Sequence, residues 1–257
     1  MISITSAQLD AWLATFIYPL VRLLAFIASA PLIKSKQVPI RVKVGLAVAL
    51  AIVIAPTLDT MPAIPVGSPE GLLIMVQQII IGTALGFAMQ LIFTAVEMSG
   101  EFSGMQMGLG FASFYNPQSG ANTAIIAQLL GTIASLAFLT MNGHLMLLSA
   151  IAESFHTMPV GSMIADKSYL ALTRWGGSIF ANALQISLPI LAALLITNLA
   201  LGVLTRAAQQ LNIFSIGFPI TLGVGFFVLS FSLPYLSHIM DRMTVEGLST
   251  ALKLLKP

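Results

Sequence analysis

Long apolar runs separated by short polar stretches set the pattern of this chain. Six runs stand out, at 12–32, 44–58, 71–96, 124–151, 179–204 and 216–236. A helix needs about 20 apolar residues to cross a bilayer core, so the second run is short for a span and the third is long. Pro19, Pro56, Pro189, Pro219 and Pro234 fall inside or at the edges of these runs. Each proline removes a backbone donor and frees a carbonyl that neighbouring groups must satisfy. The pattern predicts an all-α, multi-pass chain of membrane-type helical hairpins with kinked or broken helices. Thr5 and Gln8 have the spacing of a capping box before the first run. After 238, Val245, Leu248, Leu252 and Leu255 share one helical face, which predicts an amphipathic surface tail resting on a neighbour.

The polar interruptions carry the orientation and the candidate chemistry. "KSKQVPIRVK" holds Lys34, Lys36, Arg41 and Lys43 without an acid, whereas the next connection holds Asp59 and Glu70. An excess of basic residues marks a cytoplasmic loop, placing the N-terminus outside and, after six segments, the C-terminus outside too. "GEFSGMQMGLGFASFYNPQSG", at 100–120, is too glycine-rich for a good helix and too apolar for a solvent loop. Gly100, Gly104 and Gly108 recur every four residues, as do Gly82 and Gly86 upstream. On a helix such spacing makes a smooth face that lets another backbone approach. Arg22 lies inside the first run, and Glu97 and Glu101 lie one turn apart beside the glycine face. Ionisable groups in such settings are costly and face a partner or an aqueous cavity, as buried structural pairs or as a transport site. Arg206, Gln209, Gln210 and Asn212 make a polar turn between the last two runs, the mark of a helical hairpin tip.

Composition narrows the class. Of 257 residues, 57% are hydrophobic and 8% charged, against roughly 25% charged in an ordinary soluble domain. Mean hydropathy is +0.96. So much apolar surface needs lipid or protein around it. A formal charge of +2 gives no footprint for nucleic acid. With no cysteine, disulfides, thiolate metal sites and cysteine nucleophiles are excluded. "ASA" at 28–30 follows a stretch with Asp10, Pro19 and Arg22 and no basic start, so the first run reads as a retained helix. His144, His156 and His238 are scattered, "GLGFAS" lacks the third glycine of a dinucleotide loop, and neither a nucleophile elbow nor a P-loop occurs. No enzyme, metal or cofactor is indicated.

Four stretches together resemble a known family: "SGEFSGMQMGLGFASFYNP", "FLTMNGHLMLLSAIAESFHTMPVG", "LPILAALLITNLALGVLTRAAQQLNIFSIGFP" and "VPIRVKVGLAVALAIVIAP". They are similar, in order and over nearly the whole chain, to the type III export-gate subunits of the FliR/SctT/SpaR family, most closely its flagellar members. Gln209 stands where many flagellar members carry proline. The resemblance implies a non-enzymatic subunit of the flagellar protein export gate, in the bacterial inner membrane and basal body, with part of the assembly above the bilayer plane. It implies FliP- and FliQ-like partners in a helical hetero-oligomer, an FlhB-like switch protein at the cytoplasmic face, and unfolded flagellar proteins as cargo. It divides the chain into a FliP-like part at about 1–177, a FliQ-like hairpin at about 178–237 and a tail at 238–257. Within the first part, a plug loop near 104–120 would seal the pore with Met105, Met107, Gly108, Gly110, Phe111, Phe114 and Tyr115. Arg206, Gln210 and Asn212 would contact a partner at the hairpin tip. Read from the residues without the resemblance, the rival is an ion- or proton-coupled transporter with a midplane site near Glu97 and Glu101.

Overall fold

The structure, a computed structural model, describes residues 6–58, 64–110, 125–162, 166–208 and 213–254. Among these it is all-α, with no strand. The helices are α1 (Ser6–Ser29), α2 (Ile40–Ile54, continued by a 3-10 turn at Ala55–Thr57), α3 (Pro69–Gln106), α4 (Ile125–Thr140), α5 (Gly143–Thr157), α6 (Asp166–Ala207) and α7 (Ile213–Leu254). Among the described residues five helical stretches are long and apolar enough to cross a membrane, and α4 with α5 makes a sixth as a pair bent by 68°.

Local chemistry explains where these helices begin and end. Pro39 sits extended at φ −58° and ψ 142°, and α2 starts directly after it, four residues before the apolar run. The amides of Val42 and Lys43 both donate to the Pro39 carbonyl, a start that uses the preset φ of proline. Arg41 and Lys43 thus belong to the helix, and the Lys43 ammonium turns back to donate to the carbonyls of Lys34 and Ser35, 3.0 Å each. The run at 124–151 is two helices rather than one. The break falls at Asn142, which adopts the left-handed conformation at φ 57° and ψ 26°, a region asparagine tolerates better than most residues. No proline makes this break: α1 continues through Pro19, α6 through Pro189 and α7 through Pro219 and Pro234.

The tail continues α7, which runs unbroken to Leu254. From 238 onward the buried positions are Met240, Met243, Thr244, Gly247 and Ala251, while Val245 is half exposed and Leu248 and Leu252 are partly buried. Leu255 and Thr5 lie outside the described residues.

The chain divides into two compact units. The first comprises Met1–Leu91, Asn142–Gly176 and Thr244–Pro257, the second Ile92–Met141 and Gly177–Met243. One boundary falls between Gly176 and Gly177, at the foot of the C-terminal hairpin, but 92–141 groups with the hairpin rather than with the rest of the N-terminal part. In the first unit Ala14, Tyr18 and Ile74 form a core with Val66, Met75 and Val160 around it. The Tyr18 hydroxyl donates to the Ile64 carbonyl at 3.2 Å.

In the second unit α6 buries Ala183, Ser187, Ile190 and Leu194, and α7 buries Leu229, Leu236, Met240 and Met243. Spacings of three, four and seven give each helix a coiled-coil-like seam. The outward faces are also apolar: Phe180, Ile196, Leu199, Val203, Phe227 and Tyr235 are each more than 60% exposed. A helix apolar all round needs cover on every side, by lipid or protein. Phe93 of α3 and Phe138 of α4 meet edge to face, with centroids 5.3 Å apart.

Candidate functional site: the glycine-rich end of α3 and its surroundings

α3 passes through Gly100 and Gly104 as helix and stops at Gly108. There φ is +87°, open to glycine without strain. The Gly108 amide donates to the Met105 carbonyl and the Leu109 amide to the Gly104 carbonyl, both at 3.0 Å. This pair of bonds is a Schellman cap, which satisfies the last carbonyls of the helix. Met105 and Met107 therefore diverge. Two residues along a helix turn a side chain through about 200°, so Met105 is 60% exposed whereas Met107 is fully buried. Met107 fills a notch on α7 made by the absence of a side chain at Gly225. The Thr221 hydroxyl donates to the Phe218 carbonyl of its own helix at 3.0 Å and lies 3.4 Å from the Met107 carbonyl, and Phe218 stands over Gly108. Gly110 is the last described residue before the break. Phe111, Phe114 and Tyr115 lie outside the described residues.

The other glycines differ in what they touch. A Cβ at Gly82 would meet the carbonyl oxygen of Arg22 and the amide of Phe26. One at Gly86 would meet the Ser29 hydroxyl and the amide of Ala30. Both lie where α3 crosses α1. Further along α3, a Cβ at Gly100 would stand 2.5 Å from the Cα of Ala127 on α4, but one at Gly104 would reach only 3.6 Å from Ile126. The four-residue repeat thus holds two helical positions of unequal tightness and a third, Gly108, that ends the helix.

The ionisable residues separate as well. Arg22 is wholly buried and is satisfied by neutral groups. Its Nε donates to Gln78 Oε1 at 2.7 Å, its Nη1 to the Ser154 carbonyl at 2.8 Å and its Nη2 to the Met158 carbonyl at 2.9 Å. The guanidinium carbon lies 4.2 Å from the centre of the Phe155 ring. Ser154 and Met158 close the C-terminal end of α5, where the helix dipole favours a cation. Arg22 therefore joins α1, α3 and α5. Glu97 and Glu101, by contrast, are exposed in the single chain. They lie beside the face that carries Gly100 and Gly104, and like it they meet α4. Together with Gln128, Thr132 and Ser135 of α4 they line an open cleft of about 350 Å³. Glu97 rests on Gly131, where a Cβ would come within 3.2 Å of its carboxylate.

A second cavity, about 310 Å³ and apolar, is lined by Ser99, Leu130, Ile186, Pro189, Leu229 and Leu236 among others. Among the described residues no cluster of three or more histidine and acidic side chains can hold a metal. Arg206 is exposed in the last turn of α6. Gln210 and Asn212 lie outside the described residues. Sequence reasoning passed over Gly225, Thr221, Gly131 and Gln78. For the first two a signal existed: Gly217, Thr221 and Gly225 are small residues four apart, the same spacing that marked α3.

A family model described as bacterial export proteins, family 1, matches residues 13–247. The chain is 44% identical over 247 residues to the flagellar biosynthetic protein FliR of Escherichia coli (strain K12), covering 96% of this chain and 94% of that protein. It is 42% identical over 247 residues to FliR of Pectobacterium carotovorum, with the same coverage. To FliR of Bacillus subtilis (strain 168) it is 29% identical over 246 residues, covering 93% of this chain and 95% of that protein.

Proposed function

Because the chain belongs to the bacterial export proteins of family 1, alongside flagellar FliR proteins, we propose that it is a non-enzymatic core subunit of the flagellar type III export gate. It is a component of the flagellar export apparatus, with five or six apolar helices of membrane-spanning length. In the proposed gate it forms part of the secretion pore, in the inner membrane and basal body. FliP- and FliQ-like subunits cover the apolar faces of α6 and α7, and an FlhB-like protein meets the hairpin tip.

The observation that carries this reading is the match of nearly the whole chain to FliR proteins. The seal is a finer inference. A conduit wide enough for an unfolded chain leaks unless something fills it at rest, and an apolar constriction excludes water and ions without fixed charge. From Met105 to Asn116 the sequence has no ionisable side chain but the Tyr115 phenol. Its first residues leave α3 through a glycine cap at Gly108.

Co-expression with FliP- and FliQ-like partners, followed by mass measurement, is expected to give one hetero-oligomer. Purification as a lone chain that binds an ion or solute would favour the transporter instead. Deleting residues 110–114 is expected to leave an assembled complex that passes ions or dye at rest, with secretion continuing. Wild-type flux through that complex would show that the segment is not the seal.

A further inference from the structure

We propose that the turn between α1 and α2 is a docking surface for anionic phospholipid headgroups, met by Lys34, Lys36 and Arg41. The proposal goes beyond the export-gate reading and does not depend on it. It starts from connectivity. Gln8–Ser29 and Ile40–Thr57 are each long and apolar enough to cross a membrane, and α1 and α2 pack on each other. Two such helices in succession leave the residues between them, 30–39, at one face of the bilayer. This turn and the first residues of α2 hold Lys34, Lys36, Arg41 and Lys43 and no acid.

The turn is built rather than slack. Leu32 takes φ 66°, a costly conformation for a leucine, and the Ile33 amide donates across it to the Pro31 carbonyl at 2.8 Å. The Lys34 amide donates to the Ala30 carbonyl at 3.0 Å and the Val38 amide to the Ser35 carbonyl at 3.2 Å. The Lys43 ammonium is taken up inside the turn, on the carbonyls of Lys34 and Ser35. Lys34, Lys36 and Arg41 stay exposed, and among the described residues none of them is in an ion pair. Beside them Ile40, Val42 and Val44 are 75%, 57% and 42% exposed. The exposed apolar positions continue along α2 to Ile52 and Val53, and only Ala47 and Ala51 of this helix are buried. Charges of one sign directly above an uncovered aliphatic surface match a headgroup layer over hydrocarbon. The aliphatic side chains enter the acyl region while the long basic ones reach back to the phosphates. An acidic protein surface would answer the charges but not the aliphatic face beneath them.

The chain has no cysteine, so Gln37→Cys places one fluorophore per chain on the exposed turn without removing a charge. The full-length chain, with whatever subunits co-purify, is reconstituted into phosphatidylcholine bilayers. The quencher is either phosphatidylglycerol or phosphatidylcholine brominated near the headgroup. Phosphatidylglycerol is expected to quench at lower mole fraction. Each of Lys34→Gln, Lys36→Gln and Arg41→Gln is expected to lower that preference by up to about fivefold, from the attraction of one basic residue to an anionic surface. Lys36→Arg keeps the charge and is expected to keep the preference. Sodium chloride at about 1 M, where charges are screened within about 3 Å, is expected to weaken it. Four results overturn the proposal. The two lipids quench equally, or the preference survives the triple neutralisation. Neither lipid quenches, which would give the turn to an acidic protein partner instead. Or inorganic phosphate abolishes the preference where sodium chloride of equal ionic strength does not, which would make this a site for the free anion.

Discussion

A methyl group at Gly100 would stand 2.5 Å from the Cα of Ala127 and 2.7 Å from its nitrogen, backbone atoms that cannot rotate away. At Gly104 the same group would make ordinary contact with the Ile126 side chain, at 3.6 Å. Gly100→Ala is therefore expected to destabilise the α3–α4 packing by about 1–3 kcal/mol. Gly104→Ala is expected to be neutral or slightly stabilising, since alanine favours helix by up to about 1 kcal/mol over glycine. Complex yield and melting temperature of the two variants decide this, and equal losses would mean that the tight contact at Gly100 is not what limits assembly. A bulkier Gly104→Leu still has to displace Ile126. The residue scale thus separates two glycines that spacing alone treats alike.

At the scale of the element, the telling case is the break between α4 and α5. Both flanks are apolar and only the short polar stretch Asn142–His144 interrupts them, while the proline rule points elsewhere. The break is made by one residue, Asn142, in the left-handed region. A β-branched side chain there costs roughly 1–2 kcal/mol, whereas glycine pays no such penalty. Asn142→Val is expected to lower the thermal midpoint of the purified complex and Asn142→Gly to leave it near the wild-type value. Matching midpoints would show that the bend does not depend on this dihedral. Helices that continue past Pro19, Pro189, Pro219 and Pro234 make the complementary point: a missing amide does not by itself end a helix.

For the whole molecule, the outer faces of α6 and α7 and the exposed Arg206 at the end of α6 define what the chain presents to others. If the hairpin tip meets a partner of the export apparatus, charge reversal there weakens docking without disturbing the helices behind it. Arg206→Glu is expected to reduce secretion and motility while the complex keeps its normal mass. Normal swimming in that variant would make the tip a solvated turn. Glu97 and Glu101 belong to the same scale, since in the single chain they open onto a cleft rather than into a core.

Much of this protein was legible in its residues. Apolar runs of bilayer length fix an all-α membrane-type chain, because backbone groups away from water must bond within their own helix. The glycine after Met107 marks where α3 ends, since few other residues adopt that dihedral. Ordered motifs along nearly the whole length carried the family. Other features were decided only by the fold. Periodicity shows which residues share a helix face, but not which face meets a neighbour or how closely. Arg22 in the first run could have paired with an acid anywhere. It is satisfied instead by a glutamine 56 residues away and by carbonyls at the end of α5. The seat of Met107 likewise depends on Gly225, 118 positions further on by subtraction of the two residue numbers. Contacts of that separation arise from how helices cross, and a local pattern of apolar and polar positions does not encode the crossing.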